Sequence, residues 1–453
     1  METKKQTRRR APSYFEMMDS ASLTLTPYLS PSTTTKLIHR AKQSTDICNL
    51  GLFNVRLTGM VTTELEPLVQ SRQWRKIIIS WCRGEDVEAV SAAAIVNSQS
   101  LEFVAHCQVN CPSTALFLRA LESHLHKAKI LKRLKLQCCH LQSTAPGGDT
   151  TSQRSPFHLS LGKNLARNTS LKVLELSHCR CDDEVTFSDL MSGLTHHTQL
   201  ESLVIRDCTF AGTTFSKLCQ AISRNRFIRS LSLDLNEADI STVDEIAELI
   251  ANSDTLAHLS IRILPVDLKL SPIVRALRHR KVSMKSLTIY SMTEYRFQND
   301  LKEELMYGNL RYAGARIYLH GACPLHPWRH EDSVQDLLHV VQANPYLEQA
   351  AICIDPRDDK LVLLRSKLDF YALWNRTGVR QILEQQSGPP PAGLWPMILE
   401  HVHRRVSRTA RNSIMESSNK ATAEDGEQDG LSIVFFLLQQ QPEFLILAPP
   451  VHH

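Results

Sequence analysis

Three consecutive stretches decide the fold: LKVLELSHC at residues 171–179, LESLVIRDC at 200–208 and IRSLSLDLN at 228–236. Each fits the spacing L-x-x-L-x-L-x-x-C/N, and each begins 28 or 29 residues after the one before. Within a stretch the L-x-L core alternates, which is strand spacing, so Leu174 and Leu176 point inward and Glu175 outward. The rest of each period has helical spacing. Phe187, Leu190 and Leu194 stand at i, i+3 and i+7, and so do Phe215, Leu218 and Ile222, and then Val243, Ile246 and Ile250. One strand and one helix cannot bury their own apolar side, so the units must stack on one another.

Looser copies extend the array both ways. Upstream they centre on Leu50 and Leu52, Ile77 and Ile79, Val104, and Leu134 and Leu136; downstream on Leu259 and Ile261, Leu287 and Ile289, Ile317 and Leu319, and Leu347 with Ile352. The longest step, from Leu131 to Leu171, contains a Ser/Thr/Gly/Pro-rich insertion at 142–156. Asn168, Asn225 and Asn344 each precede the next unit's first apolar residue by three, and the spacing predicts a left-handed helix end there. The cysteine or asparagine closing each strand is expected to be buried in the turn.

This pattern resembles the leucine-rich repeat family, in its ribonuclease-inhibitor-like subclass, over about residues 47–355. The resemblance implies an α/β solenoid: a horseshoe with a parallel inner sheet, outer helices and a concave surface that binds protein. A second resemblance lies at the C-terminal end. FYALWNRTGVRQIL (370–383), LWPMILEHV (394–402) and IVFFLLQQQPEFL (433–445) are similar to the tails of uncharacterised leucine-rich repeat proteins of diatoms, a group with no known activity.

The expected organisation has five parts. Residues 1–45 read as a basic, disordered tail carrying Lys4, Lys5, Arg8, Arg9 and Arg10; 46–358 as about eleven repeats; 359–405 as a helical cap; 406–429 as a disordered linker; and 430–453 as a terminal apolar helix and tail. The cap would cover the sheet edge that the last repeat exposes. The apolar stripe Leu361, Leu364, Leu368 and Tyr371 is its clearest element.

Composition narrows the function. The 453 residues carry 22% charged side chains and a formal net charge of +5, spread thinly, which is not the footprint of a nucleic-acid binder. No stretch approaches the ~18 apolar residues of a membrane span. The first residues do not form a secretory signal pattern, so the twelve cysteines read as reduced thiols and the chain as cytoplasmic or nuclear. The sequons at Asn168 and Asn375 are then inert.

No constellation of catalytic residues emerges. The chain lacks G-x-x-x-x-G-K-S/T, G-x-G-x-x-G and G-x-S-x-G, so neither a phosphate loop nor a hydrolase elbow is expected, and no cofactor. His320, Cys323, His326 and His330 form the densest set of metal-ligand types. Pro324 and Pro327 break it up, and the expected reading is an exposed loop with no metal. Asp182, Asp183 and Glu184 read as a solvated loop. Arg404, Arg405, Arg408 and Arg411 read as a solvated linker.

The outward strand positions are therefore the candidate site. They include Lys135, Glu175, Arg206, Asp234, His258, Arg262, Tyr290, Tyr318 and His320. Stacked strands lie ~4.8 Å apart, so positions 206, 234, 262, 290 and 320 should form one column. Arginine and aromatic side chains between small serines and threonines suit a polar protein or peptide. The sequence reading is a non-enzymatic scaffold or adaptor. Its alternatives are a regulator of a small GTPase or other nucleotide-binding enzyme, and nucleic-acid contact through the basic tails.

Overall fold

The computed structural model describes residues 22–57, 59–83, 86–98, 101–107, 115–127, 130–139, 161–181, 184–210, 214–235, 238–263, 268–278, 284–290, 292–294, 297, 301–306, 316–321 and 327–377. The chain divides into two compact units, 1–257 and 258–453.

In the first unit parallel strands alternate with helices. The strands are β1 (Ser22–Leu25), β2 (Asn49–Phe53), β3 (Lys76–Ser80), β4 (Phe103–Cys107), β5 (Arg133–Gln137), β6 (Val173–Ser177), β8 (Ser202–Arg206) and β10 (Ser230–Leu235), hydrogen-bonded in that order. Two short strands, β7 (Arg180–Cys181) and β9 (Thr209–Phe210), pair in parallel beside them. The helices are α1 (Pro31–Gln43), α2 (Gly59–Ser71), α3 (Asp86–Val96), α4 (Ala115–Lys127), α5 (Leu161–Arg167), α6 (Glu184–His196), α7 (Thr214–Arg224) and α8 (Ile240–Asn252), each packed on the next.

The pairing is in phase. Leu134 lies opposite Leu174, Leu174 opposite Leu203, and Leu203 opposite Leu231, so the aliphatic rungs form one continuous buried row. The helices cover that row. Phe187, Leu190 and Leu194 of α6 are buried, as are Val243, Ile246 and Ile250 of α8. Asp239 starts α8 with a capping box, its carboxylate accepting from the Thr242 amide at 2.8 Å.

The array begins one repeat earlier than the sequence reading placed it. Residues 22–43 are not tail: β1 pairs with β2, Leu23 and Leu25 are buried, and α1 follows with Ser30 as N-cap and Pro31 opening the helix. β1 starts 27 residues before β2, the same step that separates β2 from β3 and β3 from β4. The Ser/Thr-rich setting hid a four-residue strand whose only apolar signal is two leucines.

Five strands, β2, β3, β5, β6 and β8, are each followed by a left-handed residue, at Asn54, Trp81, Cys138, His178 and Asp207, with φ between 47° and 61°. These residues aim their amides at the neighbouring strand's last carbonyl: Asn54 at Ser80 (2.8 Å), Cys138 at Ser177 (2.9 Å), His178 at Arg206 (2.7 Å) and Asp207 at Asp234 (2.8 Å). The turn thus satisfies the end of the ladder. The next residue drops inward. Cys82, Cys139 and Cys179 are buried, and the Cys82 and Cys179 thiols each donate to a carbonyl of the preceding strand, Leu52 and Leu136, both at 3.4 Å.

The asparagines at the helix ends act differently from the expectation. None of Asn168, Asn225 and Asn344 is left-handed; Asn344 has φ −110° and ψ 103°. Their side chains are instead buried hydrogen-bonding hubs. Asn225 donates to the carbonyls of Leu194 (2.6 Å) and His197 (2.9 Å), and accepts from the amides of Phe227 (2.7 Å) and Ile228 (3.0 Å). Helix ends leave backbone groups without intrahelical partners, and a buried amide can serve four of them. His197 fills the same position one repeat earlier, its Nδ1 accepting from Gln199 and Leu200.

In the second unit β11 (His258–Ile263), β12 (Ser286–Tyr290), β13 (Arg316–Gly321) and β14 (Leu347–Ile352) are parallel neighbours, with α9 (Ser271–Arg278) and the helix Glu331–Ala343 among their connections. Leu259, Leu287 and Ile317 form its rung. The register slips between Ile317 and Tyr318 where β13 meets β14. The helix Asp359–Thr377 packs on β14 and on Glu331–Ala343, burying Leu361, Leu364 and Leu368. The remainder of the 359–405 segment, the 406–429 and 430–453 segments and the 142–156 insertion lie outside the described residues.

Candidate functional site

In each unit the strand face turned away from the helices carries the residues singled out above, Lys135, Glu175, Arg206 and Asp234 in the first and His258, Arg262, Tyr290, Tyr318 and His320 in the second. His106 shows which face is which. It points inward from β4 and stacks on Phe117 of α4, ring centroids 4.0 Å apart. Positions one residue away therefore point outward.

In the first unit Lys135, Glu175 and Arg206 stand on β5, β6 and β8. Glu175 accepts from both cations, with Oε1 2.7 Å from Lys135 Nζ and 3.3 Å from Arg206 Nη1. Lys135 and Glu175 are half-buried and Arg206 is exposed. Arg206 is also in register with Asp234 on β10. The register that places these groups is the one that stacks the leucines, because a one-residue slip would turn every outward side chain inward.

In the second unit Arg262, Tyr290 and His320 are in register on β11, β12 and β13. Tyr290 stacks on His320 with centroids 4.6 Å apart and planes 16° apart, yet remains 39% exposed. Burial lowers the pKa of the His320 imidazole, which favours the uncharged ring in that stack. His258 bonds Ser286 Oγ at 2.7 Å, and its pKa is lowered, first by burial and then by the charges of Lys285 and Arg316. Tyr318 donates to Glu348 at 3.0 Å, and the same carboxylate lies 3.5 Å from Arg316 Nε. Burial, and then the Glu348 charge, push the Tyr318 phenol up.

Glu348 escaped the sequence reading. It is 1% exposed and belongs to β14, where the register slip brings it to Tyr318 and Arg316. Only the pairing reveals it, since LEQAAI has no alternation to mark an outward glutamate.

The metal-ligand set does not converge among the described residues. His320 is engaged with Tyr290, and His330 is the N-cap of Glu331–Ala343, its amide donating to Glu294 at 3.1 Å. Cys323 and His326 lie outside the described residues. No group of three or more histidine, cysteine or acidic side chains among the described residues is arranged to hold a metal. Asp182, Asp183, the basic N-terminal run and Arg404 to Arg411 also lie outside. Glu184 is a surface residue paired with Lys217 at 2.6 Å. No helix among the described residues is long and apolar enough to cross a membrane.

Two clefts open elsewhere, between helices. One of about 650 Å³ is lined by Lys42, Ile47, Leu68 and Arg72; the other, of about 360 Å³, by Cys219, Arg224, Glu245 and Leu249. Arg72 closes part of the first by donating to the carbonyls of Ile47 and Ala41.

No family model and no curated protein matches the chain. The diatom resemblance therefore finds no support, and most of the stretches that carried it lie outside the described residues. Among solved structures, the leucine-rich repeat protein LegL7 of Legionella pneumophila is 12% identical over 77% of this chain and 97% of its own, with a TM-score of 0.35. An internalin of Listeria monocytogenes is 14% identical over 74% and 93%, at 0.34, and the actin-binding site 2 region of leiomodin-1 is 17% identical over 32% and 75%, at 0.22. The fold assignment rests on the repeat itself. Parallel strand, turn and helix recur in phase, so the fold is an α/β leucine-rich repeat array.

Proposed function

We propose that this chain is a protein-binding scaffold or adaptor without catalytic activity of its own. It captures a polar protein or peptide on the sheet face turned away from its helices. The observation that supports this is the exposed arginine and aromatic groups on that face. Arg206 is tethered by Glu175 in one unit, and Tyr290 is stacked on His320 beside Arg262 in the other. Such groups lose little conformational freedom when a partner arrives, because neighbours already hold them. Arginine and tyrosine are also the side chains that dominate binding energies. The flanking Ser202, Ser230, Ser260, Ser286 and Thr288 leave room for a partner backbone. A carboxylate-bearing partner suits Arg206, Arg262 and Arg316. Buried cysteine thiols that donate to backbone carbonyls, as those of Cys82 and Cys179 do, suit a reducing compartment, the cytoplasm or nucleus.

The test is side-chain footprinting of the chain with and without a purified partner found by proximity labelling. Protection of Arg206, Arg262 and Tyr290 is expected. Protection confined to the helices would overturn the reading.

A further inference from the structure

Three cysteines line up just past the ends of β5, β6 and β8. Gln137, Ser177 and Arg206 are in register, and Cys139, Cys179 and Cys208 each follow by two residues. The backbone bonds repeat there too: the Arg180 amide donates to the Cys139 carbonyl and the Thr209 amide to the Cys179 carbonyl, both at 3.0 Å. The stacking therefore continues beyond the strands, and the side chains meet. The Cys179 thiol is in hydrogen-bonding contact with those of Cys139 and Cys208. Paired residues on neighbouring strands lie ~4.8 Å apart, within the ~4.4–6.8 Å between Cα atoms that a disulfide spans. The surroundings of the three thiols differ. Cys139 is buried, and its sulfur lies 3.5 Å from His106 Nδ1. Cys179 is buried as well, whereas Cys208 is partly exposed and opens the row to solvent. Hydrogen bonds from Cys139 and Cys208 hold the Cys179 thiol well below its ordinary range, while burial pushes Cys82, on the turn after β3, up to about 11. The thiolate is the reactive form of cysteine.

We propose that Cys179 and Cys208 form a peroxide-sensitive modification site, which hydrogen peroxide converts into a disulfide tying the end of β6 to the end of β8. Peroxide, little larger than water, enters beside Cys208. The Cys179 thiolate attacks one of its oxygens, the O–O bond breaks, and the departing hydroxide takes up the proton that Cys179 released, giving water. Cys179 is then a sulfenic acid. The Cys208 sulfur attacks that sulfur and gives up its own proton, the S–O bond breaks, and a second water leaves. In all, two thiols lose two electrons and two protons, and peroxide is reduced to two waters. Cys208 is the partner because it is the neighbour that solvent reaches, whereas Cys139 is held against His106 on the buried side. The site is distinct from the outward side chains assigned to partner binding, and its failure leaves that reading intact.

Peptide mapping of the full, unmutated chain tests this. The folded chain is exposed to hydrogen peroxide, the remaining thiols are blocked with N-ethylmaleimide in urea, and the product is digested with trypsin. Cleavage separates VLELSHCR (173–180), DCTFAGTTFSK (207–217) and LQCCHLQSTAPGGDTTSQR (136–154), so each possible link has its own mass. The expected product joins the first two peptides through a disulfide that dithiothreitol reverses. Maleimide labelling should be lost together at Cys179 and Cys208 and kept at Cys82. A link from Cys179 to Cys139 alone, loss of labelling at Cys82 as fast as at Cys179, or no link at all would each overturn the assignment.

Discussion

Asn225 donates its side-chain amide to the His197 carbonyl, 2.9 Å away and one repeat back along the chain. That bond joins two members of a buried polar column running through the helix ends. Its energetic weight comes from burial. If the amide is removed, the backbone groups it served remain buried without partners, at ~1–3 kcal/mol each. Asn225→Leu keeps the volume and removes all four bonds. The expected loss is at least ~3 kcal/mol, read from urea unfolding.

His197 gives the column a pH dependence. Burial lowers its pKa to about 4, from an ordinary value of 6.5, and lowers His106 equally. Between pH 6.5 and 4 the unfolded chain takes up protons that the folded chain refuses. Stability is therefore full above 6.5 and falls as the pH drops toward 4. Each histidine contributes a loss of about 2 kcal/mol on going from pH 7 to 5. His197→Asn restores the residue type found at 168 and 225 and should remove one of the two contributions. Urea midpoints at pH 7 and 5 check it; an unchanged difference would exclude His197 as a source.

Gly162 and Gly193 set the approach of α5 to α6. A methyl group on Gly162 would overlap the Asp189 carbonyl, and one on Gly193 would overlap the backbone of Gly162. The Gly162 amide also donates to the Asp189 carboxylate at 2.7 Å. Gly162→Ala should therefore destabilise by ~1–3 kcal/mol, although alanine is the better helix former. A raised melting temperature would show that these helices are free to separate.

Leu203 is buried in the rung between Leu174 and Leu231. Leu203→Ala should cost ~2–5 kcal/mol, because stacked neighbours on both sides hold the cavity open. Glu175→Gln, on the outward face, should cost less than ~1 kcal/mol. Calorimetric melting of the two variants separates the structural face from the displayed one.

Much of this was legible in the sequence, and the exceptions have physical causes. The leucine rungs were readable because period-2 alternation inside a 28-residue period has no other packing solution. The outward residues from β5 to β13 followed from the same alternation. Ser22–Leu25 was missed because two leucines in a Ser/Thr setting carry little pattern. The outward cluster of Phe53, Ile78 and Ala105 was missed because KIIIS is an uninterrupted run, in which the outward Ile78 looks no different from the inward Ile77 and Ile79. The helix-end asparagines were located correctly but given the wrong task. Their spacing marks the helix end, while only packing shows the amide buried and turned onto four backbone groups.

Arg206 in the first unit and Arg262 and Tyr290 in the second are proposed to hold partners at outward strand positions. The most direct measurement is titration calorimetry of a purified partner against the triple variant Arg206→Ala, Arg262→Ala, Tyr290→Ala, whose melting curve serves as the control for folding. The expected result is an affinity at least ~100-fold weaker with melting unchanged, since truncating hot-spot residues typically removes ~2 kcal/mol or more each. Undiminished affinity in a folded triple variant would show that these three side chains do not hold the partner.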